Sequence, residues 1–202
     1  MSALFTLFFV LLSCAPAHAA QINPARLAQF EDYLNSINTV EADFVQVAST
    51  GQMARGQLFM SRPGHMRVDY APPSPILIIA NGTFLIYFDR DLKQTSYLPL
   101  RSTPAAILLD DKIRLNQGDL RVVSMTERDG LARITVQRHE NPGEGSITLI
   151  FSTSPIALKR WEVHDSQDVV TTVSLVNPHF GVPLDNELFE FADPQFFGDD
   201  FN

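Results

Sequence analysis

The chain has 202 residues, 45% hydrophobic and 19% charged, with a formal net charge of −8. That is enough apolar material for a globular domain with a core, and an acidic chain without a basic cluster is a poor partner for nucleic acid or an anionic membrane surface. A lone cysteine, Cys14, excludes a disulfide scaffold and a thiolate zinc cage.

Residues 3–12 form an apolar run too short to span a bilayer, followed by the small-x-small pattern Ala17-His18-Ala19. This reads as a secretory signal cut after Ala19, although no Lys or Arg precedes the apolar run. Residues 1–19 form the signal and residues 20–202 a single domain. Leu11-Leu12-Ser13-Cys14 loosely resembles a lipobox, the alternative in which Cys14 carries lipid. With cleavage after Ala19 the mature chain keeps the full −8, has no cysteine, and relies on its core in an oxidising compartment.

Asn23-Pro24 carries an N-cap and first-position proline, and Leu27, Phe30, Leu34 and Ile37 recur at helical spacing, predicting an amphipathic helix over residues 24–38. Arg26, Gln29, Glu31, Asp32 and Asn35 fall on its polar face. From Glu41 the period becomes two. Strands are predicted at 40–47, 55–61, 66–70, 76–80, 83–89 and 94–98, separated by Gly, Pro, Asn and Asp turns such as Pro63-Gly64 and Asn81-Gly82. Ser102-Thr103-Pro104 then opens a short apolar helix over 105–112, which must close over a cavity or a sheet face. Strands resume at 120–128, 131–139, 146–152, 158–164, 169–177 and 188–191, ahead of an acidic tail bearing Phe196, Phe197 and Phe201. About a dozen short strands with regular turns indicate an antiparallel meander, without repeats or linkers.

In the hairpin across Pro63-Gly64, Leu58 and Met60 share a face that ends on Arg62, opposite Met66, Val68 and Tyr70. Arg62 is either a solvated strand end, its stem covering apolar neighbours, or a functional cation. Met60, Met66, Tyr70, Phe84, Ile86 and Phe88 lie in adjacent predicted strands. They suit either an ordinary sandwich core or a promiscuous apolar cavity, since methionine and aromatic side chains repack around differing guests. Chemistry is sparse: His65, His139, His164 and His179 show no metal-ligand spacing, and no serine has a nucleophile-elbow context. The sequence therefore reads as a non-enzyme without metal or cofactor.

Further marks follow in order. They are Phe44-Val45-Gln46 after the first helix, Gly56-Gln57-Leu58, Arg62-Pro63-Gly64, Arg67-Val68-Asp69-Tyr70 ahead of a proline, and Asn81-Gly82. Tyr87-Phe88-Asp89, Gln94, Thr103-Pro104 with Ile107-Leu108-Leu109, and Phe189-Glu190-Phe191 complete the series. In this order, over residues 27–194, the chain resembles the periplasmic outer-membrane lipoprotein carrier proteins of the LolA family. The resemblance implies an unclosed antiparallel β-barrel, a half-barrel sheet whose helical lid encloses a hydrophobic cavity. It implies a monomeric periplasmic chaperone that takes acylated lipoproteins from an inner-membrane lipoprotein-releasing ABC transporter. The cargo passes to an outer-membrane receptor of similar fold, where one exists. The alternative is a lipidated receptor or lipid-sensing regulator on the same fold. By resemblance Arg62 is a latch donating to lid carbonyls near Leu34 and near Leu108-Leu109. Phe44, Leu58, Met60, Met66, Val68, Tyr70, Phe84, Ile86, Phe88 and Ile107 are the expected acyl-binding wall. Val68 stands where many members have tryptophan, and Leu85 where an aromatic follows the Asn-Gly turn.

Overall fold

The structure is a computed structural model describing residues 22–104, 106–139, 143 and 145–194. The signal, Cys14, Ala105 and the tail phenylalanines lie outside the described residues. Helix α1 (Pro24–Asn35) starts as its sequence requires: Asn23 Oδ1 accepts the backbone N–H groups of Ala25 at 3.1 Å and Arg26 at 3.2 Å, with Pro24 beginning the helix. It buries Leu27, Phe30 and Leu34. It ends earlier than the apolar stripe predicts, because Ser36 takes the C-cap; Ile37, the last stripe residue, is buried just beyond the helix.

Among the described residues eleven strands follow: β1 (Thr39–Ala48), β2 (Met53–Ser61), β3 (His65–Tyr70), β4 (Ile76–Asn81), β5 (Phe84–Asp89), β6 (Gln94–Pro99), β7 (Leu120–Arg128), β8 (Leu131–Arg138), β9 (Ser146–Thr153), β10 (Ile156–His164) and β11 (Val170–Phe180). They form one sheet in the order β6-β5-β4-β3-β2-β1-β11-β10-β9-β8-β7. Two antiparallel meanders are thus joined where the first and last strands pair, Val40 opposite Phe180 through Ala48 opposite Thr171. β6 and β7 remain as opposite edges of an unclosed half-barrel. The connection between them must therefore cross the concave side, and it carries the second helix, α2 (Ala106–Leu109). Among the described residues of the predicted 105–112 segment, these four are helical.

Beyond α2 the chain is irregular but not loose. Asn35 of α1 donates to the Ile113 carbonyl at 3.0 Å and accepts the Ile113 N–H at 2.8 Å, and Glu31 accepts the Leu115 N–H at 2.7 Å. Two residues of the predicted solvated helix face thereby hold the connector, and Ile113 and Leu115 are buried.

The largest buried apolar cluster among the described residues lies between the lid and β7–β10, where Phe30 meets Phe151 at 4.9 Å between ring centroids. The predicted strand at 188–191 is instead a 3-10 turn, Asn186–Phe189, on the convex face. There the C-terminal segment covers Leu77, Ile79 and Ile86, with Phe191 5.4 Å from Phe88. It is anchored by Arg67 donating to the Leu188 carbonyl at 3.2 Å and by Asp193 accepting from the Tyr97 hydroxyl at 2.6 Å.

Candidate functional site

Alternation along the central strands sends one residue in two to the concave face, and these enclose a cavity of about 330 Å³ beneath the lid. Of the expected wall, Phe44, Leu58, Met60, Met66, Val68 and Tyr70 line it. Phe84, Ile86 and Phe88 do not. The pairs Leu77–Phe88 and Ile79–Ile86 put them on the convex face, while Ile78 and Leu85 take the inner positions. A one-residue change of parity inverts the whole strand, and 84–88 is apolar at every position, so its pattern does not choose a face. Ile107 is also absent from the wall. It is buried in the core shared with α1 and β7–β9, whereas Leu108 of the same turn faces the cavity.

The opposite wall comes from β10 and β11, through Leu158, Trp161, Val163, Thr171, Val173 and Leu175. Sequence reasoning missed these residues. They lie in two predicted strands, but the bulge between Leu158 and Arg160 breaks the alternation of β10, and only the β1–β11 pairing brings both strands opposite β3. Gly56 lets the wall close. A Cβ there would lie 1.9 Å from the Asp69 carbonyl oxygen and 2.9 Å from Phe44 Cε1. Without it, the Phe44 ring meets Tyr70 edge-on at 5.2 Å.

The loop Arg62-Pro63-Gly64 touches both lid helices by different means. Arg62 Nη2 donates to the Leu34 carbonyl at 2.6 Å, an oxygen in the last turn of α1 that also accepts the Ile37 N–H at 3.2 Å. The Leu109 carbonyl of α2 accepts not from the guanidinium but from the Gly64 N–H, at 2.8 Å. Arg62 Nε is buried and has no hydrogen-bond partner among the described residues. Burial lowers the Arg62 pKa from its ordinary value, against the attraction of Asp110 just past α2. Burial raises the Asp110 pKa, opposed by Arg138, Arg101 and Arg62. The loop sets a partly dry cation against a helix end, where the charged donor is stronger than a neutral one.

Gln46 and Tyr70 stand farther along the cavity, with the Tyr70 hydroxyl donating to Gln46 Oε1 at 2.7 Å. Burial, and then the nearby Tyr87, push the Tyr70 pKa up to about 12, so the hydroxyl stays protonated. Among the described residues no three His, Cys, Asp or Glu side chains converge as a metal site. No described helix is long and apolar enough to cross a membrane.

These features define an open antiparallel half-barrel with a lidded apolar chamber. The sequence profile of the family described as "Outer membrane lipoprotein carrier protein LolA" matches residues 35–192, and the chain belongs to that family. Its relatives include an uncharacterized protein of Rickettsia prowazekii (strain Madrid E), 26% identical over 87% of this chain and 80% of that one. The outer-membrane lipoprotein carrier protein of Albidiferax ferrireducens is 28% identical over 90% of this chain and 93% of its own. Among solved structures, a DUF1329 family protein from Desulfovibrio piger shares the fold at a TM-score of 0.52 and 9% identity, covering 82% of this chain and 95% of that one.

Proposed function

We propose that the protein is a periplasmic carrier of acylated lipoproteins. It accepts them from an inner-membrane ABC transporter, shields their acyl chains in the chamber, and delivers them to the outer membrane, through a receptor of similar fold where one exists. It works as a monomer, exported by its cleaved signal, and makes or breaks no bond in the cargo. What supports this most is the pairing of family membership with an apolar, methionine-containing chamber under a lid whose side toward β2 and β3 is tied by polar bonds of the Arg62-Pro63-Gly64 loop.

The energetics suit reversible loading. Each methylene removed from water contributes about 0.8 kcal/mol. The charged bond from Arg62 to Leu34 contributes roughly 1.5–3 kcal/mol before solvent discounts. A few methylenes are enough to offset the latch, whereas a small polar solute is not. Met60 and Met66, beside Arg62 on the wall, can repack around chains of differing length. The test is incubation of the mature protein with energised inner-membrane vesicles carrying labelled lipoprotein and the releasing transporter. A soluble one-to-one complex is the expected product. Lipoprotein that stays with the vesicles at every protein concentration would defeat the proposal.

A further inference from the structure

The cavity's polar side chains are not scattered. Arg62 and Thr103 stand beside the lid, whereas Gln46, Tyr70 and Thr171 from β1, β3 and β11 stand together farther along. Gln46 lies seven residues along β1 from Thr39, the partner of Ser61, so it is roughly 20 Å from the latch end at the usual strand rise. Such placement is unexpected for a chamber whose only task is to hold hydrocarbon.

The pair has a fixed sense. Because the Tyr70 hydroxyl occupies Gln46 Oε1 at 2.7 Å, the amide nitrogen keeps both hydrogens as donors, and among the described residues no acceptor takes them. A pure hydrocarbon lying there would strip water from those donors and offer nothing in return. A guest with a carbonyl oxygen at that depth would satisfy them. Fatty chains joined through an ester or an amide carry such an oxygen next to the chain.

We propose that the Gln46 amide, oriented by Tyr70, is a subsite for the acyl carbonyl of ester- or amide-linked fatty chains, and that it makes the chamber select acyl over alkyl amphiphiles. The assignment rests on the carrier reading and adds a chemical class to it. Selection arises because a site with an oriented donor penalises the analogue that leaves the donor unpaired. Tyr70 acts as a positioning residue: without its hydroxyl the amide can turn over, but the donors remain.

The experiment is competition against a fluorescent fatty probe by two lipids of equal chain length, a diester diacylglycerol and its diether dialkylglycerol, on the mature protein. The diester is expected to bind about tenfold more tightly, the scale of one neutral hydrogen bond. Gln46→Leu should bring the two lipids to the same affinity, and Tyr70→Phe should leave part of the difference. Both variants are checked for an unchanged melting temperature. Equal binding of diester and diether by the unaltered protein overturns the carbonyl subsite while leaving the carrier intact. Binding of neither overturns the carrier reading and the subsite with it. A triacylated lipopeptide and a phospholipid complete the series: weaker binding of either to Gln46→Leu upholds the carbonyl contact, unchanged binding of both overturns it, and the lipid that loses more names its source.

Discussion

Replacing Arg62 by leucine removes a single donor from the lid and tests the latch directly. The bond lost, Nη2 to the Leu34 carbonyl at 2.6 Å, is charge-assisted and contributes roughly 1.5–3 kcal/mol. Against it stands the buried Arg62 Nε without a partner, whose cost of about 1 kcal/mol disappears with the side chain. The closed lid should therefore lose about 0.5–2 kcal/mol, a factor of about 2–30 in the closed-to-open ratio. On the carrier reading cargo binds the open form, so its apparent affinity tightens by up to the same factor, and a lid that closes less readily drives release less strongly. The assay preloads labelled lipoprotein and follows its transfer to acceptor outer-membrane vesicles. Arg62→Leu should load normally or better and release about tenfold more slowly. Arg62→Lys, which keeps the charge but not the fixed fork, should fall between. Release by Arg62→Leu at the unaltered rate, with folding intact, would refute the latch.

Gly56→Ala forces a Cβ to 1.9 Å from the Asp69 carbonyl oxygen and should cost about 1–3 kcal/mol or more in a urea melt, through overpacking beside Phe44. Phe30→Ala removes a fully buried ring packed on Phe151 and should cost about 3–5 kcal/mol by the same measurement. Burial pushes the Asp69 carboxyl up, but hydrogen bonds from Arg67 and Arg90 outweigh it and hold the pKa below the ordinary range. Its contribution to stability is thus fully present above the unfolded value of about 4 and is lost as pH falls through the lower folded value. In acid melts the difference between the unaltered protein and Asp69→Asn should persist through neutral pH and shrink only below about pH 4. Intact-mass measurement of the protein from its own periplasm should give a chain starting at Ala20 without lipid; a diacylglyceryl group on Cys14 would instead make it a tethered receptor.

Local chemistry made much of the fold legible. Asn23-Pro24 marks a helix start that the structure keeps, and the Pro63-Gly64 and Asn81-Gly82 signals both separate paired strands. What stayed hidden depends on partners distant in sequence. Residues 84–88 are apolar on both faces because the C-terminal segment covers the convex side, so their period alone could not assign Phe84, Ile86 and Phe88. The same segment reads as a strand through Phe189 and Phe191, yet Asp185 accepts the Glu187 N–H at 3.1 Å and starts a 3-10 turn. Glu31 and Asn35 look solvated on a helical projection, and only the crossing of the connector gives them backbone partners. Periodicity placed Arg62 at the end of an apolar strand face and Leu34 on the helix stripe, but their roles as latch partners with Leu108-Leu109 came from the family resemblance. The division of labour between the Arg62 side chain and the Gly64 backbone was in neither.

The lid is held unequally, and this bears on how such a chamber opens. Toward β7–β9 it shares a continuous core with Ile134, Ile147, Leu149 and Phe151, all fully buried, and Arg26 joins α1 to Glu127 of β7 through two bonds of 2.9 Å. Toward β1–β5 its polar attachments include the Arg62 side chain and the Gly64 N–H, beside a smaller cluster of Ala80, Leu100, Ala106 and Leu109. Separating a packed aromatic core costs several kcal/mol for each of its side chains, whereas exchanging one charged and one neutral hydrogen bond for water costs about 2–4.5 kcal/mol in all. The weaker seam therefore runs along the Arg62-Pro63-Gly64 loop. A lid that yields there stays anchored through Phe30 and Phe151 and widens the chamber beside Met60 and Met66, the wall residues best able to change shape. Phe30→Ala and Arg62→Leu then separate the two roles: the first should lower the melting temperature, and the second should alter cargo release while leaving the fold in place.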